Sequence, residues 1–391
     1  MNKLKTKELQ QALINLFKLG VGKTNNNLTI VFGKTQTLLM VRRLDKFHQT
    51  NNNGFIEFAA VLDADNQEQG LVLLRDAVDF KKEIGKLESE DVEFKLTDNQ
   101  LVVNNGAYVS NYSSSDIRSR KTMNSQTMVT IDLDGKELQQ VYKQAFKHVS
   151  LDKRRNWLNG IHHELKQGQL TIGSTDAYTL SLETVSCSSN TDELDFFVTY
   201  SMAKTLSKVK ADNVKICVEE NDNDWYIRFI LDGRYLLEST VKKVIKPNFE
   251  RLINLKNGCN PVALDSTTLK EVVKYIKQKG YNNTEYQKAK TCHLVNFKVK
   301  DKKLEVFYQV KDNDEVKFIP LDMKLKYEIN TQFDLNIYFN LDYLELYLTG
   351  QRGKVTLCFQ NEYKRPNVRV FQVKLQDKDD FIGAIAPVRI Q

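Results

Sequence analysis

No stretch of eighteen consecutive apolar residues occurs in this 391-residue chain, which excludes a membrane-spanning helix. The N-terminal Met1-Asn2-Lys3-Leu4-Lys5 lacks the apolar core of a secretory leader, so export is not expected. Cysteine is sparse. The five residues, Cys187, Cys217, Cys259, Cys292 and Cys358, are scattered, odd in number and never spaced as C-x-x-C. Neither a zinc ribbon nor a disulfide framework is indicated, and a reducing cytoplasm is the compartment that fits.

Catalytic signatures are missing too. Gly22-Lys23-Thr24 and Gly33-Lys34-Thr35 end like phosphate-binding loops, but Phe17 and Leu28 stand where the Walker pattern needs its earlier glycine. His162-His163-Glu164 falls in a predicted strand, where neighbouring side chains point to opposite faces and cannot share a metal. Asp63 and Asp65 run on into the polar loop Asn66-Gln67-Glu68, and no Gly-x-Ser-x-Gly elbow is present. No catalytic residue, metal site or cofactor is therefore expected.

What is present is the composition of a soluble globular protein, 41% hydrophobic and 27% charged. The length calls for two to four domains. A formal net charge of +7 permits a polyanionic partner without requiring one.

The chain repeats itself. Three amphipathic helices are predicted around the apolar stripes Leu9, Ala12, Leu13, Leu16, Phe17; Leu138, Val141, Tyr142, Ala145, Phe146; and Leu269, Val272, Val273, Ile276. Their first leucines are 129 and 131 positions apart. Asp134 with Glu137, and Thr268 with Glu271, have capping-box spacing. A short alternating strand recurs later in each copy, at 91–96, 213–218 and 354–359. Further period-2 runs lie at 54–62, 225–230, 294–299, 304–310 and 333–339. The reading is α+β: three similar domains of antiparallel sheets with two helices each, at 1–127, 128–257 and 258–391. Joints are placed near 125–128 and 254–261, and 113–126, rich in Ser and basic residues, reads as an exposed hairpin or linker.

Basic residues gather on the polar faces of the later two helices. Lys136, Lys143 and Lys147 lie opposite one core stripe, and Lys270, Lys274 and Lys277 opposite the next. Lys153-Arg154-Arg155 follows the second helix, and Lys204 and Lys208 add to the set. These eleven cations are candidates for loose, sequence-independent contact with phosphates. A merely solvated helix face is the alternative, and the last helix, near 342–348, carries Asp342 and Glu345 and no lysine.

Three separated segments carry a family resemblance. Arg155-Asn156-Trp157-Leu158-Asn159-Gly160 leads to a strand, a tight turn at Gln167-Gly168, a second strand and Thr175-Asp176-Ala177-Tyr178-Thr179-Leu180. This resembles the middle domain of the bacterial sliding clamp, the beta subunit of DNA polymerase III, with its Leu-Asn-Gly and Thr-Asp-Gly-His-Arg-Leu. Val244 to Leu252 resembles the clamp's Phe-Pro-Asp-Tyr-Arg-Arg-Val loop. Ala386-Pro387-Val388-Arg389-Ile390 resembles its terminal Met-Pro-Met-Arg-Leu.

The resemblance implies a head-to-tail homodimeric ring around double-stranded DNA, a processivity factor in DNA replication. It also implies an apolar cleft that takes a short linear motif from replicative polymerase, clamp loader and repair proteins. The matched cleft positions are Leu158, Thr175, Ala177, Tyr178, Thr179, Leu180, Pro247, Arg251, Leu252, Ala384, Ile385, Ala386, Pro387, Val388, Arg389 and Ile390. Leu158 and Leu180 also read as plain core, and Pro387 to Ile390 as a docked terminal strand. The departures are Ala177-Tyr178-Thr179 for Gly-His-Arg, and Ala386 and Val388 for methionines. The alternative function is a repetitive α+β protein-binding scaffold that does not encircle DNA; a hydrolase with an unrecognised site is a third.

Overall fold

A computed structural model describes residues 1–19, 27–44, 55–97, 100–104, 108–113, 127–253, 258–283, 292–360 and 370–388. Gly22-Lys23-Thr24, most of the 113–126 segment, residues 254–257 of the second joint, Arg389 and Ile390 lie outside the described residues.

The seven described α-helices are α1 (Thr6–Leu19), α2 (Ala77–Ile84), α3 (Gly135–Ala145), α4 (Tyr200–Leu206), α5 (Phe249–Ile253), α6 (Ser266–Lys279) and α7 (Leu341–Leu348). Among the described residues, none is long and apolar enough to cross a membrane. The strands pair antiparallel, so the fold is α+β.

The repeated apolar stripes become helix faces. Leu9, Ala12, Leu13 and Leu16 of α1 are buried, as are Leu138, Val141, Tyr142 and Ala145 of α3 and Leu269, Val272, Val273 and Ile276 of α6. Each large side chain so placed contributes about 1.5–3 kcal/mol of transfer free energy. Asp134 caps α3 through its carboxylate, which accepts the N–H groups of Lys136 and Glu137 at 2.9 and 2.8 Å. At α6 the cap is Asp265, which accepts the N–H of Thr268 at 2.9 Å. The Thr268–Glu271 signal therefore marks the helix one turn too late.

Contacts divide the chain into two compact units. Unit 1 comprises Met1–Lys143, His163–Leu170 and Ser186–Val244, and unit 2 comprises Gln144–His162, Thr171–Val185 and Ile245–Gln391. The sheets explain why the division does not follow the sequence repeat. In unit 1, fourteen strands form one sheet, in which Phe55–Asp63 of the first repeat pairs with Tyr235–Lys242 of the second, Tyr235 opposite Ala60 and Glu238 opposite Glu57. Those facing buried carboxylates each have a guanidinium: Arg228 Nε lies 2.7 Å from Glu238, and Arg42 Nη2 lies 2.7 Å from Glu57. Without these cations, two like charges would face each other in a buried strand pair.

Unit 2 repeats this arrangement. Thr179–Ser186 of the second repeat pairs with Lys378–Ile385 of the third, Leu180 opposite Ala384. The sheet continues through Phe371–Leu375, Lys354–Gln360, Cys259–Asp265 and Tyr327–Glu328. A second sheet runs Glu315–Pro320, Lys303–Asp312, Leu294–Lys300, Leu335–Asn340. α6 and α7 bury their apolar faces, including Leu269, Ile276, Leu344 and Tyr347, in a core with residues of these sheets.

The adjacent histidines diverge as strand alternation requires. His163 meets the Tyr142 hydroxyl at 2.8 Å and stacks on Phe196, whereas His162 Nε2 lies 2.7 Å from the Trp157 carbonyl.

Candidate functional site

Unit 2 carries an apolar groove of about 270 Å³ lined by Trp157, Leu158, Thr175, Ala177, Tyr178, Thr179, Leu180, Pro247, Leu252, Val370 and Ala384. Its floor is the strand pairing just described. Leu180, Ala384 and Phe249 are buried there, with Leu182, Ile253 and Val370 packed against them. The Tyr347 hydroxyl sits between the carbonyls of Leu180 and Ala384, at 2.7 and 2.9 Å, and braces the two strands from α7. Gly383 leaves the space that the Tyr347 ring fills; a Cβ there would overlap it.

One wall is the turn at 175–179. The Asp176 carboxylate accepts the N–H groups of Tyr178 and Thr179, at 2.9 and 2.6 Å, and the Thr179 hydroxyl at 3.0 Å. Thr175 donates its hydroxyl to the Thr179 carbonyl at 2.6 Å. This closure forces Ala177 to φ +78°, the left-handed region that favours glycine. The turn sends neighbouring side chains opposite ways. Tyr178 projects outward and stacks on Tyr343, ring centroids 5.9 Å apart at 18°. Thr179 turns inward, its hydroxyl 2.9 Å from His148 Nδ1. Burial, and then the neighbouring Lys147, push His148 down to about 3, so the imidazole is neutral and bridges Thr179 and Gln144.

A second wall is the loop from Ser150 to Leu158. Ser150 N–H donates to the Leu158 carbonyl at 2.9 Å, and Asn159 Nδ2 donates to the carbonyls of Ser150 and Asp152 at 2.7 and 3.2 Å. The 3-10 turn Asn156–Leu158 then buries Leu158 and leaves the Trp157 indole exposed. The third wall begins at Pro247. Where the resemblance indicates a loop, residues 249–253 form α5, started by Asn248, which accepts the Arg251 N–H at 2.8 Å.

Nine of the sixteen expected cleft residues thus line the groove, and Leu158 and Leu180 are both wall and core. Five described ones do not line it. Ile385 is buried in the main core of unit 2, and Arg251 is exposed. Ala386 donates its N–H to the Tyr178 carbonyl at 2.8 Å, fixing the turn from behind. Past Pro387, Val388 donates its N–H to the Tyr338 carbonyl at 2.7 Å and packs with Cys292 and Leu294. Trp157 and Val370 were not anticipated as lining residues. Trp157 stood inside the resembling segment, but an exposed ring in an irregular loop has no period to betray it.

The candidate phosphate-facing cations fare unevenly. In unit 1, Lys136 pairs with Asp212 at 2.9 Å, Lys143 bonds Gln139, and Lys204 lies over the Tyr200 ring. In unit 2, Arg154 and Arg155 both engage Asp152, Lys270 bonds the Gln351 carbonyl, and Lys277 pairs with Glu345 at 2.6 Å. Lys153, Lys208 and Lys274 are exposed and have no ion pair among the described residues. Lys147 departs from the expected pattern: half-buried, it donates to the Leu346 carbonyl in the last turn of α7 at 3.0 Å and to Gln144 at 2.9 Å. Burial, and then Lys378, lower it to about 8. Its role is therefore to cap a helix end.

Residues 132–242 match the family model for the DNA polymerase III beta subunit, central domain. Solved structures match along the whole chain. The beta subunit from Streptococcus pyogenes is 17% identical at a TM-score of 0.77, and that from Pseudomonas aeruginosa 16% identical at 0.76, each with 100% of both chains covered. The beta chain from Streptococcus pneumoniae is 20% identical at 0.75, covering 100% of this chain and 99% of its own. No curated protein matches the sequence. The chain therefore carries the fold of the bacterial DNA polymerase III beta subunits, the DNA clamp fold, from end to end.

Proposed function

We infer that this protein is a DNA sliding clamp: a homodimeric ring that encircles duplex DNA and tethers replication and repair proteins through the groove of unit 2. The observation that carries the reading is the groove itself. Three segments far apart in sequence, at 157–158, 175–180 and 247–252, converge on one apolar trough within a clamp fold. A trough with apolar walls and few polar groups suits an extended peptide with bulky apolar side chains.

In this reading the repeats 1–127, 128–257 and 258–391 are three clamp domains, and two chains joined head to tail supply six. A heterologous contact of that kind closes into a ring only when its rotation does. The exposed cations, led by Lys153, Lys208 and Lys274, face the duplex. Topology supplies retention, so their individual contacts are weak, mobile and salt-sensitive. Opening such a ring requires a separate loader, which this chain does not supply.

The oligomeric state tests the proposal. Light scattering at micromolar concentration should give twice the 45.3 kDa chain mass, and small-angle scattering a central hole wide enough for duplex DNA. A persistent monomer, or a dimer without a hole, would favour the non-encircling scaffold instead.

A further inference from the structure

Two of the five free cysteines meet across a strand pair. Cys259 opens the strand Cys259–Asp265, and Cys358 lies in Lys354–Gln360, which pairs with it antiparallel. The register sets Cys259 opposite Gln360 and Pro261 opposite Cys358. Directly opposed residues share a face of the sheet, and so do residues two apart on one strand. Both thiols therefore project from one face, as diagonal neighbours. Their side chains touch: the two thiols share a hydrogen bond.

The two are not equivalent. Cys358 is 2% exposed, with Gln372 opposite it on the other side, whereas Cys259 is half-buried at the end of its strand. Burial, and then the neighbouring Cys259, raise the Cys358 thiol above its ordinary value. Cys259 is thus the thiol that a reagent reaches, and Cys358 the one that stands behind it. Diagonal neighbours lie about 7–8 Å apart between Cα atoms, and a disulfide usually spans at most about 6.8 Å. Closing the bond therefore draws the strands together by about 1 Å and leaves a link that thiols readily reopen.

We propose that Cys259 and Cys358 form a reversible redox site, at which a small-molecule disulfide oxidises the pair to an intrachain disulfide. In the first step the Cys259 thiolate attacks one sulfur of the oxidant, forming a mixed disulfide and expelling one thiolate. Cys358, on losing its proton, then attacks the Cys259 sulfur and expels the second. The pair gives up two electrons and two protons, and the oxidant takes them up as two thiols. The bond fastens the first residue of Cys259–Asp265 to the strand beside it. This chemistry does not depend on ring formation.

The test uses the full-length protein, reduced, freed of reductant and exposed to glutathione disulfide. It is then quenched with N-ethylmaleimide and digested for peptide mass mapping. In the parent, Cys259 and Cys358 should disappear from the maleimide-labelled peptides and reappear as one linked pair, and dithiothreitol should restore both. In Cys358→Ala the reaction should stop at one glutathione on Cys259, because the second thiol is gone. In Cys259→Ser, changed at a half-buried position, Cys358 should gain no glutathione. The parent and Cys259→Ser decide the question even where Cys358→Ala does not fold. Both thiols intact in the parent, or glutathione that persists on Cys259 beside an unreacted Cys358, would overturn the proposal. So would a bond from Cys259 to a second chain, or glutathione on Cys358 in Cys259→Ser.

Discussion

Replacing Ala177 with glycine probes the turn that shapes the groove. Ala177 adopts φ +78° and is exposed, so loss of its methyl leaves no cavity. An L-residue in the left-handed region costs about 1–2 kcal/mol. Glycine removes that cost but loses about 0.5–1 kcal/mol through the greater freedom of the unfolded chain. Ala177→Gly should therefore stabilise the protein by about 0.5–1 kcal/mol. That corresponds to a rise of about 1–4 °C in Tm for a cooperative unit of 150–250 residues. Ala177→Val should act oppositely, since a β-branched side chain fits this conformation worse, and lose at least about 1 kcal/mol. Calorimetry at neutral pH reads both. A glycine variant less stable than the parent, or a valine variant equal to it, would mean that the turn is not left-handed in solution and that the Asp176 bonding scheme is wrong.

Tyr347→Phe removes the hydroxyl between Leu180 and Ala384 and should cost about 1–2 kcal/mol, measured by denaturant midpoint, because two buried carbonyls lose a partner. His148 is held at about 3 against its ordinary 6.5, so below pH 6.5 the unfolded chain binds a proton that the folded chain refuses. The stability is present above pH 6.5 and declines as pH falls toward 3, by about 1.4 kcal/mol per unit from this group. The parent should therefore lose stability faster than His148→Gln over that window, and parallel pH–Tm curves would refute the assignment. Reversing Lys153, Lys208 and Lys274 to glutamate should weaken sequence-independent DNA binding and flatten its salt dependence, by about 0.9 in log–log slope for each phosphate that is no longer neutralised. Lys147→Gln should leave that slope unchanged, since its ammonium is committed to Leu346.

Strictly periodic features were legible before the structure. The stripes of α1, α3 and α6 follow a 3.6-residue period, and strands Asn213–Glu220 and Lys354–Gln360 begin with a period of 2 before burying both faces. The Gln167-Gly168 turn, with both residues at positive φ, was equally plain. Features set by a break in period were not. α3 ends at Ala145 and the chain tightens into the 3-10 turn Phe146–His148, which swings Lys147 off the face shared by Lys136 and Lys143. Pairing between strands of different repeats, such as Leu180 with Ala384, joins residues about two hundred positions apart, which no local pattern encodes. The groove was largely legible through family wording, yet Trp157 and Val370 entered only with the geometry.

Encirclement is a topological property, and retention on DNA reports it. The protein is loaded onto a nicked circular duplex with a clamp loader, isolated by gel filtration, and the circle is then cut once with a restriction enzyme. A ring stays with the circle at moderate salt and is released when the DNA becomes linear. Equal retention on circular and linear DNA, or loss from both at the same salt, would mean that the protein does not encircle DNA.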